Sequence, residues 1–353
     1  MSKFFLKILA VLLLLTPQSQ SSEAEDVHVF YESDNAFVMP LTVSIASLIY
    51  HVTPNENLTV HILEAGITKE NQKNMDSTLH KQFPNKKFKL DFIKFDEKLV
   101  SGIDSYKWPK FIYTRLFMAR LLPPSAKRCV HIDADTVLVD NIRKVFDTPL
   151  DEKQVIAFSE AQTDIDLAAK DLSGFHIRNW GILPHQAQGG LVLLDLDKIR
   201  NLGLEEKWKR TLIENQKDKD MFTDEHLLMI MSAETKKILP PECNVVTERV
   251  DISSENLNNF SYHQYTKNGD KITKATFKHT SDPIMIHYAA RFKPWNYYQK
   301  REEWAKIQAP FLYDLWYKYY EIAGFDGAPD KTKKKNLINS LVDSVSKLFN
   351  NLF

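Results

Sequence analysis

The chain has 353 residues, of which 43% are hydrophobic and 26% are charged, and its 46 basic and 46 acidic side chains leave no net charge. This is the composition of a folded globular protein with ample material for a core. The balanced charge gives no electrostatic case for a nucleic-acid partner, and two cysteines, Cys129 and Cys243, cannot form a disulfide framework.

The amino terminus, residues 1–22, has the layout of a secretory signal peptide. Lys3 precedes an apolar run over residues 8–15, and Pro17 and a small polar segment follow that run. The run is shorter than the roughly 20 apolar residues that a helix needs to span a bilayer. We therefore expect an exported protein, in a secretory lumen, in the cell envelope or outside the cell. An uncleaved signal anchor and a wrongly assigned start are the alternatives.

The next part of the chain alternates between strand and helix patterns. Short β-branched and aromatic runs bounded by polar residues are typical of strands, and apolar residues at helical spacing predict helices. This alternation predicts an α/β, Rossmann-like fold with a parallel sheet. No G-x-G-x-x-G motif follows the first strand, which disfavours a dinucleotide-dependent oxidoreductase. The predicted elements are strands at 27–31, 58–63 and 88–93 and helices at 37–50 and 69–83, with a turn at 33–35.

Further elements follow with no internal repeat, and we expect one main domain over residues 23–325. Asp195 and Asp197 follow a strand and precede a helix, so helix capping is their expected task. The predicted helices are 111–122, 197–213, 224–231 and a Trp- and Tyr-rich stretch at 295–320, and the predicted strands are 129–132, 155–158, 190–194 and 284–286.

The carboxy-terminal tail, residues 326–353, has a different character. A lysine cluster, Lys331 and residues 333–335, precedes apolar residues at i, i+3 and i+4 spacing. A basic, amphipathic helix of this kind is typical of peripheral contact with a membrane surface. A terminal helix that packs on the domain is the alternative. Liposome binding that is unchanged after deletion of residues 331–353 would contradict the membrane interpretation.

Two carboxylates at a strand end indicate a metal site. Asp133 and Asp135 follow the strand 129–132 directly, and ligands of open α/β sheets bind at that edge. Spaced by one residue on an extended backbone, the two side chains point the same way. They suit one Mg²⁺ or Mn²⁺, ions that commonly bridge to substrate phosphates. Later, His287 ends a predicted strand as a candidate ligand, and Lys293 can contact a phosphate as a point charge.

These blocks and their spacing resemble a known family. Residues 111–116 and 130–139, followed by His287 and residues 293–295, are similar to the signature of glycosyltransferase family 8, whose members are retaining enzymes. The resemblance covers roughly residues 27–295. It implies a GT-A (Rossmann-like) nucleotide-diphospho-sugar transferase fold with a mixed, mostly parallel central sheet. It also implies transfer of a hexose from a UDP-sugar to a glycan, lipid-linked or protein acceptor.

The resemblance further implies specific roles. Mn²⁺ (or Mg²⁺) would be held by Asp133, Asp135 and His287 and would neutralise the leaving UDP as a Lewis acid. The uridine, the ribose, the diphosphate and the donor sugar would be contacted by Ser33, Asp34, Asn35, Arg115, Asp133, Ala134 and Lys293.

The chain departs from the family at two places. Residues 188–190 are Gln-Gly-Gly where the family has Asn-Ala-Gly or Asn-Ser-Gly, and Asp224 and Glu225 begin an Asp-Glu-His run where the family has Asp-Gln-Asp. Glu225 replaces the glutamine nearest the reacting sugar carbon, so it could stabilise an oxocarbenium-like centre or act as a nucleophile. A plain helix-start carboxylate is the alternative. The candidate catalytic residues are Glu225, Asp224 and Gln188.

Two rival functions stay open at this stage. The departures are compatible with a catalytically degenerate member that binds a nucleotide sugar without turnover. A metal-dependent hydrolase or nuclease would need further acidic ligands for a second metal, and the sequence has no clear cluster of them near these motifs. The segments 160–188 and 248–278 are the candidates for the acceptor pocket, and neither indicates which acceptor binds.

Overall fold

In a computed structural model of the protein, the described residues form twelve strands and eight α-helices. The structure describes residues 26–104, 109–160, 187–215, 234–247, 282–289 and 292–328, with short pieces at 228, 232, 250, 253, 255, 264–265 and 271–272. The strands are β1 (Val27–Asp34), β2 (Leu58–Ala65), β3 (Phe88–Lys94), β4 (Arg128–Ile132), β5 (Thr136–Leu138), β6 (Ile156–Glu160), β7 (Ala187–Asp195), β8 (Lys236–Leu239), β9 (Val245–Val246), β10 (Gln264–Tyr265), β11 (Lys271–Ile272) and β12 (Met285–His287). The helices are α1 (Val38–His51), α2 (Lys69–Gln82), α3 (Met118–Leu121), α4 (Arg143–Phe146), α5 (Leu196–Asn201), α6 (Leu204–Asn215), α7 (Arg301–Trp304) and α8 (Pro310–Ile322).

A seven-stranded sheet with the order β3-β2-β1-β4-β7-β6-β8 forms the centre of the fold. Strand β7 is antiparallel to both of its neighbours, and the other neighbouring pairs are parallel. The carboxyl ends of β1, β2, β3, β4, β6 and β8 therefore meet at one edge. The expected mixed, mostly parallel sheet is confirmed.

The amino-terminal half follows the predicted alternation closely. β1, β2 and β3 pair in parallel through the crossover helices α1 and α2, and all five predicted elements are present within three residues of their expected ends. Helix α2 is polar and contributes Met75 and Leu79 to the core, and the Thr68 side chain caps its first turn by accepting from the Asn71 amide.

Side chains on the two faces of the central sheet belong to two hydrophobic clusters. In β1, Val29 and Tyr31 pack in one cluster and Phe30 packs in the other, as strand alternation requires. The first cluster continues into α1 and the aromatic helix α8, which contributes Trp316 and Tyr320. The Trp- and Tyr-rich stretch is therefore core, the interpretation that the sequence favoured for it.

A second sheet of three short strands, in the order β5-β12-β9, joins distant parts of the chain. His287 in β12 is paired with Thr136 of β5 on one side and with Val246 of β9 on the other. This small sheet positions the carboxy-terminal segment beside the end of β4.

Three sequence predictions were wrong in detail. The single helix over 111–122 is a 3-10 helix (Lys110–Phe117) followed by α3, because the consecutively buried residues Tyr113–Phe117 do not leave one face exposed. The single helix over 197–213 is interrupted at Gly203, which has φ 58, and becomes α5 and α6. The strand predicted at 284–286 is shifted by one residue, so that His287 lies within β12.

Several predictions fall outside the described residues. These are the signal peptide, nearly all of the tail and, except for Leu228, the helix at 224–231. Among the helices that the structure describes, none combines the length and the apolar character needed to cross a membrane.

Two histidines and an aspartate form a hydrogen-bonded chain across the first three strands. His28 Nδ1 lies 3.1 Å from His61 Nε2, and His61 Nδ1 lies 2.9 Å from Asp91 Oδ2. Since the carboxylate only accepts, His61 Nδ1 donates to it, and His61 Nε2 accepts from His28. Burial, and then the neighbouring His61, lower the pKa of His28 from 6.5 to about 4, with Asp26 opposing the shift. Burial also lowers the pKa of His61, with Asp91 opposing.

This histidine chain predicts a loss of stability in mild acid. The folded chain holds His28 neutral at a pH where the unfolded chain protonates it, so unfolding takes up protons below about pH 6.5 and stability decreases toward pH 4. We expect the free energy of unfolding in urea to decrease by up to about 2 kcal/mol from His28 between about pH 7.5 and about pH 5. A His28→Gln variant should have a smaller pH dependence, and an unchanged dependence would contradict the assignment.

Candidate active site

Three side chains with metal-binding atoms meet at one edge of the central sheet. Asp133 and Asp135 lie in the turn between β4 and β5, and His287 ends β12. One ligand atom of each residue lies within 4.8 Å of the others. The His287 Nε2 atom is 3.1 Å from Asp135 Oδ1 and 3.6 Å from Asp133 Oδ2. The fold thus brings together the three residues that the sequence predicted as metal ligands, although Asp135 and His287 are 152 positions apart in the sequence.

The chemistry and exposure of this cluster suit a divalent cation. Carboxylate oxygens and an imidazole nitrogen are ligands for Mn²⁺, and carboxylates also suit Mg²⁺. The side chain of Asp133 is 28% exposed, whereas those of Asp135 and His287 are 15% and 5% exposed. A ligand would therefore approach from the Asp133 side. The position at the carboxyl ends of parallel strands is where open α/β sheets bind ligands.

The backbone between the two aspartates forms a turn. The sequence predicted an extended segment here, and that prediction was wrong. The turn is held on two sides. The Asp133 amide donates to the Gly190 carbonyl at 3.0 Å, and the Tyr288 amide donates to the Asp135 carbonyl at 2.9 Å. Ala134, between them, is buried. The two carboxylates converge because neighbouring strands β7 and β12 fix the turn.

A chain of buried hydroxyl groups anchors the same turn to helix α1. Thr136 Oγ1 donates to the Asp133 carbonyl at 2.9 Å, so it accepts from Ser44 Oγ, which is also 2.9 Å away. Ser44 Oγ in turn accepts from the Tyr31 hydroxyl at 3.1 Å. Because every hydroxyl in this chain has a partner, the network stabilises one conformation of the turn.

Lys293 and His287 compensate the charge of Asp135. Lys293 Nζ lies 2.6 Å from Asp135 Oδ2 and also donates to the Tyr288 carbonyl. Burial alone would raise the pKa of Asp135, but His287 and Lys293 outweigh burial and hold that pKa below its ordinary value. Burial disfavours protonation of His287, yet Asp135 and then Asp133 outweigh it and raise the pKa of His287. Lys293 thus lies beside the three candidate metal ligands, and its contact with a phosphate stays a prediction.

Arg115 lies next to Asp133, and a surface position on an amphipathic helix is ruled out because only 8% of the residue is exposed. Its Nη2 atom is 3.2 Å from Asp133 Oδ1 and 2.7 Å from Glu32 Oε1. His131, which is fully buried, lies between the same two carboxylates. Sequence reasoning missed Glu32 and His131, although Glu32 precedes the predicted turn at the end of the first strand.

Gly190 in β7 makes room for the imidazole of His287. A Cβ atom at this position would lie 2.3 Å from both Cε1 and Nδ1 of the His287 ring. Only Nε2 of that ring faces the carboxylates, since Nδ1 is buried and has no hydrogen-bond partner. Glycine is therefore required for the histidine to reach the cluster. The Gln-Gly-Gly run at residues 188–190 was the sequence pattern that indicated this glycine.

Gln188 lies on the same strand and contacts a residue that the sequence did not indicate. Its Oε1 atom accepts from Asn244 Nδ2 at 3.4 Å, and Asn244 is fully buried. The Asn244 amide would also lie 3.2 Å from a Cβ at Gly190. Gln188 therefore lies on the strand that supports His287, two residues from Gly190.

The three residues predicted to contact the nucleoside shape the loop after β1. Ser33 is buried and donates to the Asp34 carbonyl at 3.1 Å. Asp34 Oδ1 accepts from the amides of Ala36 and Phe37 and so caps a 3-10 helix. Asn35 Oδ1 accepts from the Thr68 amide and from Asn71. These contacts hold the loop in place, and a nucleoside-binding role for it stays a prediction.

Some predicted residues lie outside the described part of the chain. Asp224 and Glu225 are among them, as are most residues of the two segments considered for the acceptor pocket. The capping role predicted for Asp195 is confirmed, since its Oδ1 atom accepts from the Lys198 amide at 3.0 Å.

Comparison with known sequences identifies relatives over most of the chain. Residues 28–299 match the sequence profile of a family described as Glycosyl transferase family 8. A protein of Arabidopsis thaliana described as probable galacturonosyltransferase-like 9 is 22% identical over 287 residues, covering 78% of this chain and 68% of that protein. General stress protein A of Bacillus subtilis (strain 168) is 21% identical over 280 residues, covering 77% of this chain and 88% of that protein.

Comparison with solved structures confirms the predicted GT-A fold. The crystal structure of an active-site mutant of LgtC, with glutamate in place of a glutamine, has a TM-score of 0.62 at 17% identity and covers 87% of this chain and 99% of LgtC. The apo structure of WbbM, a bifunctional glycosyltransferase, has a TM-score of 0.62 at 21% identity. That match covers 84% of this chain and 50% of WbbM.

The close approach at Gly190 predicts a specific effect on cation binding. A Gly190→Ala substitution should displace the His287 ring, and we expect the affinity for Mn²⁺, measured by calorimetric titration without substrate, to decrease about tenfold or more. Thermal unfolding should show that the substitution lowers the free energy of unfolding by about 1 to 3 kcal/mol.

Gly203→Ala is the matched control, because Gly203 has φ +58 but nothing within 4 Å of an added Cβ. It should lower stability and leave the Mn²⁺ affinity unchanged. Equal Mn²⁺ affinity in Gly190→Ala and the wild type would show that His287 is not a ligand.

Proposed function

Since this chain belongs to glycosyl transferase family 8, we propose that it is a metal-dependent retaining glycosyltransferase that moves a hexose from a UDP-sugar to a glycan, lipid-linked or protein acceptor. The observation that carries the proposal is the convergence of Asp133, Asp135 and His287 at the carboxyl edge of the sheet, with Lys293 beside them. This combination supplies cation ligands and a fixed positive charge at one place.

The proposed cation is Mn²⁺ or Mg²⁺, held by Asp133, Asp135 and the Nε2 atom of His287. When bound, such an ion neutralises the charge that develops on the departing diphosphate, as a Lewis acid. Lys293 adds a second positive charge for the diphosphate, and its hydrogen bonds to Asp135 and to the Tyr288 carbonyl orient the ammonium group. The buried turn between β4 and β5 keeps the carboxylates in place before a donor arrives.

Arg115 is proposed to act at the donor side of Asp133. Its guanidinium is nearly buried and is hydrogen-bonded to two carboxylates, so its position is fixed without a ligand. A fixed positive charge next to a metal ligand favours an anionic donor. The loop formed by Ser33, Asp34 and Asn35 follows the end of β1 and is proposed to bind the nucleoside.

Retention through a two-step reaction requires a group at the face of the sugar opposite the leaving diphosphate, and Glu225 is the proposed candidate, with Asp224 and Gln188 as further proposed catalytic residues. A carboxylate there can stabilise an oxocarbenium-like centre more strongly than an amide, or it can form a covalent intermediate. The LgtC relative with glutamate in place of an active-site glutamine is a precedent for an acidic residue in such a site.

The two rival functions predict different behaviour. Among the residues that the structure describes, Asp133, Asp135 and His287 form the one cluster that could hold a metal, which favours a single-cation transferase over a hydrolase with two metals. A degenerate member would bind the nucleotide sugar and not turn it over.

Export of the enzyme is also proposed, on the basis of residues 1–22. A UDP-sugar-dependent enzyme needs its donor in the same compartment, so a secretory lumen or delivery into a host cell suits the chemistry better than a bacterial periplasm. A full-length chain that stays in the cytosol with its amino terminus intact would contradict this proposal.

The donor can be identified by UDP release from the purified chain beginning near residue 23. We expect release from one member of a UDP-sugar panel, including UDP-galacturonate because of the plant relatives, and loss of release on adding a chelator. An Asp133→Asn/Asp135→Asn variant should release UDP at least about 100-fold more slowly, since both carboxylate ligands are lost.

Asp76→Asn is the control, because Asp76 is a half-exposed carboxylate on helix α2 that pairs with His80 of the same helix. Tight UDP binding without release would favour the degenerate member, and release that is unaffected by the chelator would contradict metal dependence.

The role of Glu225 is tested by Glu225→Gln in the same assay. If its charge stabilises the reacting carbon, we expect kcat to decrease about 100-fold or more with a smaller change in KM. Glu234→Gln, at an exposed position, is the control. A full transfer rate for Glu225→Gln would exclude any role for the charge.

A further inference from the structure

A buried glutamate at the end of β1 holds Arg115 in place. Glu32 Oε1 accepts from Arg115 Nε at 2.9 Å and from Arg115 Nη2 at 2.7 Å. The side chain of Glu32 is 5% exposed and that of Arg115 is 9% exposed. Burial alone would raise the pKa of Glu32, but Arg115 and His131 together outweigh burial and hold that pKa below its ordinary value. The pair is therefore a charged, two-pronged contact within the fold.

The same guanidinium also contacts a proposed metal ligand. Arg115 Nη2 donates to Asp133 Oδ1 at 3.2 Å, and the other oxygen, Asp133 Oδ2, faces His287 Nε2 at 3.6 Å. One oxygen of Asp133 thus accepts from the arginine, and the other oxygen faces the candidate metal ligand His287. The position of the Arg115 guanidinium therefore decides which Asp133 oxygen it binds and which oxygen is left for a cation.

The second oxygen of Glu32 has an unusual environment. Glu32 Oε2 is buried without a partner at hydrogen-bond distance, and His131 Nε2 lies 3.6 Å from it. His131 is fully buried, and its Nε2 atom also lies 3.8 Å from Asp133 Oδ1. A buried carboxylate oxygen without a donor costs free energy, and buried ion pairs contribute little to net stability. A contribution to stability alone therefore does not explain Glu32.

We propose that Glu32 is a positioning residue that restrains Arg115 and so leaves Asp133 Oδ2 for the cation, an inference that rests on the proposed function. Arginine and carboxylate prefer a two-pronged pairing. With Glu32 in place, that pairing is made to Glu32, and Asp133 receives a single contact. Without the Glu32 charge, Asp133 becomes the main anionic partner of Arg115, and both of its oxygens are drawn into the pair. The arginine then competes with the cation.

The proposal predicts opposite effects of two charge-removing changes on Mn²⁺ binding. Glu32→Gln should weaken Mn²⁺ binding about tenfold or more, because Arg115 moves toward Asp133 and competes with the cation for its oxygens. Arg115→Gln should bind Mn²⁺ at least as tightly as the wild type, since the competing guanidinium is absent. The double variant should bind Mn²⁺ within about threefold of Arg115→Gln, because Glu32 acts through Arg115.

The measurement is calorimetric titration of the purified chain with Mn²⁺ alone, beside urea unfolding of each variant. Glu56→Gln is the matched control: Glu56 is also buried and lies 3.6 Å from an arginine, Arg143, away from the metal cluster. It should change stability and not Mn²⁺ affinity. If Glu32→Gln alone folds poorly, the double variant still tests the proposal, because with both residues replaced no unpaired charge is left buried.

Several results would overturn the inference. Unchanged Mn²⁺ affinity in Glu32→Gln, or additive weakening by the two single changes, would show that Glu32 has only a structural role. If the wild type binds no Mn²⁺, the proposed function fails together with the inference. Binding by the wild type with an unaffected Glu32→Gln variant overturns the inference alone.

Discussion

Compensation of the negative charge on Asp133 and Asp135 is the constraint on which the site depends. Both carboxylates are partly buried at a sheet edge, and each has a cationic partner within the fold. Lys293 and His287 compensate Asp135, and Arg115 compensates Asp133. These partners come from two segments, one at Arg115 and the other at residues 287–293. Charge compensation therefore requires that these segments meet the turn that carries Asp133 and Asp135, and the tertiary structure brings them to that turn.

The short sheet β5-β12-β9 makes this meeting possible. It pairs the strand that follows the aspartates with the strand that carries His287, so the register of a few backbone hydrogen bonds sets the distance between imidazole and carboxylates. The absence of a side chain at Gly190 lets the ring lie against β7. Hydroxyl groups from Tyr31, Ser44 and Thr136 hold the turn from the other face. A rigid surrounding of this kind would hold the proposed cation ligands in place before any substrate binds.

The sequence patterns succeeded where periodicity and local chemistry agree. Strands β1 to β4 and helix α1 were predicted because apolar residues recur with the period of their element, and α2 was predicted as a polar helix between two strands. The 3-10 helix at Lys110–Phe117 was predicted as α-helix, since local pattern cannot indicate that both sides of a segment become buried. The break at Gly203 was missed because a single glycine is tolerated within a helix pattern.

The sequence by itself determined the alternating α/β architecture, the two aspartates at a strand end, and the candidate ligands His287 and Lys293. Those features depend on residue type and on spacing along the chain. Only the tertiary structure decided that Glu32 holds Arg115, that Gly190 admits the imidazole, and that Asn244 lies beside Gln188. These contacts join residues that are far apart in sequence, and burial and distance between such residues arise only when the strands pair.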